Sequence, residues 1–416
     1  MLRRVALARQ GLTGRRRLGA GLAGVEKVLN RLGYVQIDTI SVVARAHHHT
    51  LFTRVSNYQE PMLNRLVAKR RAFEYWCHAA SYLPIREYRF ALPMMRAIAR
   101  GEVNFGRRRD EKVQAWVRDR IRAEGPLFAR DFENPKAQRT GWWDWKPAKL
   151  ALEQLFMQGE LTSVEREGFQ KRYELTERFL PSDVRTTEPT MAEHADYVID
   201  VGLAAHGFGT EKTLAYFRRD ARVRTAVRRR IAERVKSGDL VERRTRTGER
   251  IYARPGALDR APQRTADVVR ILSPFDSTVI QRERCRSVFG FEYTIECYVP
   301  EAKRQFGYFS LPLFYRDAFV GRMDCKAHRA EGRFEIKALF VEAALQDGFL
   351  PAFAEAVRDY AAFTGCGDVE VGKVVPAGLS GEFRRLFGQE PSAGEREGPA
   401  PRKEEPSAGE REGPLA

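Results

Sequence analysis

The sequence predicts a mainly α protein with β-wings: three tandem winged-helix units, then a small β-barrel-like α+β unit. Two observations carry this. A theme of helices followed by two short strands around a polar turn recurs along the first 262 residues. From Ala266 the pattern changes, and short strand-like runs dense in aromatic and aliphatic residues replace it. The implied boundaries are 1–107, 108–186, 187–262 and 263–389, with 390–416 as a tail.

The first unit is read from helices near Arg3–Gln10, Val25–Leu32 and Gln59–Arg70, an apolar segment Phe73–Trp76, and a helix after Pro84. The second has the clearest pattern. A helix over Arg109–Ala123 stops at Gly125-Pro126, and a short one follows at Phe128–Phe132. A third starts at Pro147, a residue suited to the first helical turn, and runs to Gly159. Leu161–Val164 and Phe169–Tyr173 flank Arg166-Glu167-Gly168 as a hairpin.

The third unit repeats the order: helices Thr190–Ala205, Glu211–Phe217 and Val223–Lys236, then a wing of Leu240–Arg244 and Arg250–Ala253 around Thr247-Gly248-Glu249. Its last helix is strongly basic and stands where a helix-turn-helix places its recognition helix. Beyond Ala266, Tyr308–Pro312, Phe319–Arg322 and Phe334–Phe340 read as strands, Ala330-Glu331-Gly332 as a turn and Ala352–Phe363 as a helix. The tail carries EPSAGEREGP twice, at 390–399 and 405–414, without an aromatic, and reads as disordered.

Composition narrows the function classes. The 416 residues carry a formal net charge of +17, which favours a polyanionic partner, most simply nucleic acid. No apolar run is long enough to span a membrane, and the N-terminus lacks the apolar core of a signal peptide, so a cytoplasmic, nucleoid-associated protein is expected. The five cysteines form no CxxC pair, which fits a reducing compartment.

The stretch Gly33–Arg54, GYVQIDTISVVARAHHHTLFTR, holds the candidate chemistry. In an extended segment, Gln36 and Asp38 share one face and Ile37 takes the other. An amide beside a carboxylate can hold and polarise one water. Arg45, His47, His48 and His49 follow as a cationic and hydrogen-bonding cluster. Adjacent residues on a helix point about 100° apart, so the histidines do not converge on one ion if that segment is helical. Neither HExxH nor a deaminase pattern is present, so no metal and no cofactor are expected.

The spacing QxD-x6-RAHH resembles the signature of the AlkZ/YcaQ-like winged-helix DNA glycosylases, which remove alkylated bases and unhook interstrand crosslinks. Tyr75–Pro84, YWCHAASYLP, is similar to a second family segment, and Leu272–Tyr293 and VGRMDCKAHRAEGR are similar to its C-terminal part. The resemblance spans about residues 1–388. It implies that Asp38 directs a water and steadies an oxocarbenium-like sugar, while Gln36 positions the water or sugar-phosphate. It implies DNA contacts by Arg45, His47, His48, His78, Arg282, Arg284, Lys326 and Arg329.

Asp at the second motif position is similar to the YcaQ-like branch, which acts on N7-alkyl lesions and mustard-type crosslinks; the AlkZ branch has Gln there. No lysine lies inside the motif, so a Schiff-base step is not implied. The expected partner is double-stranded DNA carrying alkylated purines or crosslinks, met by a monomer. The alternative from another class is a winged-helix transcription regulator without catalysis, since winged helices serve regulators more often than enzymes. That reading accounts for charge and helices but gives Gln36 and Asp38 no task.

Overall fold

The computed structural model describes residues 1–15, 18–104, 109–132, 147–216, 218, 220–259, 262 and 264–390. The expected tail beyond Glu390 and the end of the expected Glu211–Phe217 helix lie outside the described residues. Helices alternate with small sheets throughout, so the fold is α+β.

Near the N-terminus come helices Leu2–Gln10, Gly21–Leu32, Ala46–Arg54 and Pro61–Ala68, with a sheet in which Ala80–Pro84 lies between Val35–Gln36 and Ala72–Trp76. Next, helix Glu111–Glu124, strand Leu127–Phe128, helix Pro147–Gln158 and a hairpin of Leu161–Glu167 with Gln170–Leu175 follow in order. Asp110 caps the first of these helices through the Lys112 and Val113 amides, which satisfies donors the helix cannot pair itself.

The same order returns as helix Met191–His206, strand Phe208–Gly209, helices Glu211–Leu214 and Ala221–Lys236, and a hairpin of Val241–Arg244 with Arg250–Ala253. A capping box between Thr190 and Glu193 starts the first helix of this group. Among the described residues, no helix is long and apolar enough to cross a membrane.

The C-terminal part corrects the barrel-like expectation. Its five strands form an open sheet, in the order Val269–Ile271, Ser310–Tyr315, Ala318–His328, Arg333–Val341 and Asp368–Val375. The last two strands are parallel, which demands a crossover, and helix Phe349–Phe363 supplies it. That helix packs against both edge strands, where closure of a barrel would otherwise have to occur.

Four apolar cores tie these parts together. One runs from Val25 to Phe179 and joins the N-terminal sheet to the hairpin behind it. A second takes in Val43 and Ala44 together with the C-terminal sheet and its helix. A third seats Val5, Ala6 and Leu7 of the first helix against Phe208, Ile251, Phe289 and Phe314. The fourth is internal to the segment from Ala195 to Tyr252. The stretch from Val35 to Arg54 therefore sits where the first and second cores meet.

Candidate active site

Helix Gly21–Leu32 ends at Gly33, which takes a left-handed φ of 78°. A Cβ there would meet Val201 Cγ1 at 2.3 Å, so both the turn and the close packing need glycine. The chain reverses into Val35–Gln36, which pairs with Tyr82 and Ser81 across an antiparallel ladder. Ile37 N–H continues the pairing to the Ala80 carbonyl at 2.8 Å. Ile37 is buried while Gln36 and Asp38 are half-buried, the alternation an extended segment imposes.

Gln36 Oε1 accepts a hydrogen bond from His78 Nε2 at 2.8 Å. This bond engages the amide oxygen and holds the side chain against the ring. Tyr34 sets its ring edge-on to His78, with centroids 4.9 Å apart. Asp38 Oδ1 accepts from the Ile40 amide at 2.8 Å and turns the chain. Burial raises the Asp38 carboxyl above its ordinary value, and the Ile40 amide opposes that shift. A carboxylate in this setting holds less water and is a better base than an exposed one.

The histidine run forms a helix, Ala46–Arg54, and its three rings diverge. His49 Nε2 donates to the Ile271 carbonyl at 2.9 Å, and its Nδ1 pairs with the Tyr360 hydroxyl at 3.0 Å. Both nitrogens are satisfied in the neutral form, and burial pushes the ring down to about 4. His48 Nδ1 meets the Tyr58 hydroxyl at 2.7 Å and is likewise pushed down, to about 3, by burial. His47 lies between the His48 and Tyr82 rings, and its Nδ1 has no hydrogen-bond partner among the described residues. With 4% and 8% exposure, His47 and His48 lie under the surface and pack inside the protein. Among the described residues, no group of three His, Cys, Asp or Glu is placed to hold a metal ion.

The expected cationic contacts divide. Arg45 is half-buried, donates to the Gly168 carbonyl at 3.3 Å and covers the Phe169 ring at 4.1 Å. It thus braces the tip of the Leu161–Leu175 hairpin against the motif. Arg282 donates to the Val279 carbonyl at 2.9 Å and lies 4.5 Å over Tyr293. Arg284 is 4% exposed and donates to the Phe208 and His206 carbonyls at 3.0 and 3.2 Å. It ties its own segment to the end of helix Met191–His206 and to strand Phe208–Gly209. Lys326 is exposed on its strand, and exposed Arg329 donates to the Val43 carbonyl, within the loop that follows Asp38.

Sequence reasoning missed an aromatic neighbour of His78. The Tyr216 ring lies 5.8 Å from that of His78, and its hydroxyl donates to the Ile280 carbonyl at 2.8 Å. Burial first, then the nearby Arg218 charge, push His78 down to about 4, so it is neutral near pH 7. Tyr216 and Arg218 also line a groove of about 800 Å³ with Lys212, Arg224, Arg228 and Arg250. Nothing in the local sequence marks these residues, because the fold alone brings them to a motif about 180 positions away.

The profile of the family described as "DNA glycosylase AlkZ-like" matches residues 29–363 of this chain. The chain belongs to the AlkZ-like DNA glycosylase family. Among solved structures, the fold is similar to that of the Streptomyces sahachiroi DNA glycosylase AlkZ, with a TM-score of 0.58 at 17% identity. That similarity covers 90% of this chain and 98% of the other. An AlkZ-like DNA glycosylase is a hydrolase with DNA as its substrate, which sets aside the regulator without catalysis. The matched span contains Gln36, Asp38, His78 and Tyr216 as well as four of the five strands of the C-terminal sheet.

Proposed function

We propose that this DNA glycosylase hydrolyses the N-glycosidic bond of N7-alkylated purines, including bulky adducts and interstrand crosslinks. An N7-alkylated purine already carries positive charge and leaves without a strong acid. The enzyme then needs a group that steadies the sugar cation and directs water at C1′, and an ionised carboxylate suits both tasks. Asp38 takes that role, and Gln36, held by His78, positions the water or the sugar-phosphate.

The observation that carries this reading is the pairing of an oriented amide with a half-buried carboxylate on one face of one strand end. The motif has no lysine, which supports a monofunctional enzyme that leaves an abasic site. The helix–strand–helix–hairpin order seen twice supports winged-helix units at 108–186 and 187–262, which follow a first unit at 1–107 and precede the 263–389 unit. These units, acting in a monomer, present a basic surface to duplex DNA. A crosslinked base is tethered to both strands and cannot leave the stack freely, so an open cleft suits it better than a closed pocket.

The test is incubation with a duplex containing one 7-methylguanine, followed by chromatography for free base and alkali treatment for abasic sites. Free 7-methylguanine and alkali-labile sites in equal amounts are expected. Tight binding to the duplex with no base released would refute the reading.

A further inference from the structure

One exposed aromatic beside the motif has no task in the mechanism above. Tyr298 is 80% exposed, more than any other large apolar side chain among the described residues. It stands on a loop that is braced rather than loose. The buried Glu296 carboxylate accepts from the Gln305 amide at 3.1 Å and the Phe306 amide at 2.7 Å. Arg304 Nε donates to the Val299 carbonyl at 2.8 Å. Asp324 accepts from the Tyr308 and Phe309 amides at 3.3 and 3.1 Å. Gly307 permits this approach, since a Cβ there would meet Asp324 Oδ2 at 2.3 Å and its φ is 101°.

The loop and the segment after Asp38 are tied to the same strand, Ala318–His328. The segment after Asp38 is bonded to the same sheet: the Ala327 amide donates to the Val42 carbonyl at 3.2 Å, and Ile40 and Val42 pack into its core. Burial and then the Asp38 charge raise the Cys297 thiol. Cys297 first, then burial and Asp38, raise the Tyr298 phenol. The neighbouring Tyr308 has a ring face covered by Arg304 at 5.0 Å, whereas among the described residues Tyr298 has neither a stacked ring nor a cation over it.

We infer that Tyr298 is a specificity-determining contact of the site, receiving the positively charged purine against its ring while Asp38 addresses the sugar. A π-face attracts a cation, and the carboxylate beside it adds the same preference, so a flat cationic base is favoured over its neutral parent. A tyrosine has only two side-chain torsions, so seating its ring against a base costs little conformational entropy. The inference rests on the assignment of Gln36 and Asp38 as the hydrolytic pair and names what selects their substrate.

The test uses the full chain and two duplexes of one sequence, with guanine or 2′-fluoroarabino-7-methylguanine, whose glycosidic bond resists cleavage. The readout is the ratio of the two affinities for wild type, Tyr298→Phe and Tyr298→Leu. Wild type should prefer the cationic base by about tenfold, Tyr298→Phe should keep most of that preference, and Tyr298→Leu should lose most of it. An unchanged ratio in Tyr298→Leu, or no preference in wild type, overturns the contact. Its failure is separable from that of the hydrolytic reading. Wild type that excises ordinary 7-methylguanine while Tyr298→Leu keeps the ratio loses only the contact. Wild type that shows the Tyr298-dependent ratio but releases no base loses only the hydrolytic assignment.

Discussion

Arg54 and Asp276 form a bidentate ion pair with both side chains fully out of solvent, at 2.5 Å and 2.9 Å. The pair joins the end of the histidine-rich helix to the Ser273–Asp276 turn 222 residues later. Gln10 completes it, accepting from Arg54 through its carbonyl at 2.9 Å and its side chain at 3.0 Å. Burial raises the Asp276 carboxyl, but Arg54 outweighs it and holds the group below its ordinary value.

Removing one partner strands the other charge inside the protein. Asp276→Ala should therefore destabilise the fold by about 3–5 kcal/mol, measured by urea unfolding. A loss under about 1 kcal/mol would mean that water or another group compensates Arg54.

Acid should weaken the fold before the carboxylates titrate. His48 and His49 are held neutral, at about 3 and about 4 against an ordinary 6.5. Below pH 6.5 the unfolded chain takes up protons that the folded chain refuses, so stability falls as pH drops towards 4. Each buried histidine contributes about 1.4 kcal/mol per pH unit across that window. The urea midpoint should be lower at pH 5 than at pH 7.5; equal midpoints would show that the rings are not held neutral.

Gln36 and His78 should behave as one unit. Gln36→Ala should slow excision less than Asp38→Asn, because the leaving base is already cationic. His78→Phe should slow it about as much as Gln36→Ala, and the double variant should be little worse than either alone. Fully additive losses would show that His78 does not act through Gln36.

Affinity for duplex DNA should fall steeply with salt. Several arginine–phosphate contacts release counterions, giving a drop of roughly 10³-fold or more between about 50 and 200 mM if about six phosphates are engaged. A flat dependence, or strong preference for one sequence, would contradict a mainly electrostatic interface.

Much of this architecture was legible where local rules govern. Gly168 and Gly248 sit in the turns of the two hairpins, and the apolar spacing of Phe349–Phe363 marks its helix. The meeting of Gln36 with His78 was not so legible: it follows from the pairing of Val35–Gln36 with Ala80–Pro84, which brings in the turn that carries His78. The short edge strand Val269–Ile271 was not legible: it is buried along its length and shows no alternation. Without it and the parallel Asp368–Val375 strand, the dense strands suggested a barrel. The burial of Arg284 was not legible for a different reason. A run such as Arg282-Glu283-Arg284 reads as surface, and only tertiary packing reveals that two carbonyls hold Arg284 inside.

The central claim is that Asp38 carries the hydrolytic step, and single-turnover excision of 7-methylguanine by wild type and Asp38→Asn across pH tests it most directly. The substitution keeps the shape and removes the charge, so excision should fall by roughly 10²–10⁴-fold while duplex affinity changes little. Because burial raises the Asp38 carboxyl, the wild-type rate should fall on the acid side at a pH above the ordinary aspartate value of 3.8, and the variant should lack that limb. Equal rates for the two proteins, or an acid limb retained by Asp38→Asn, would contradict the account.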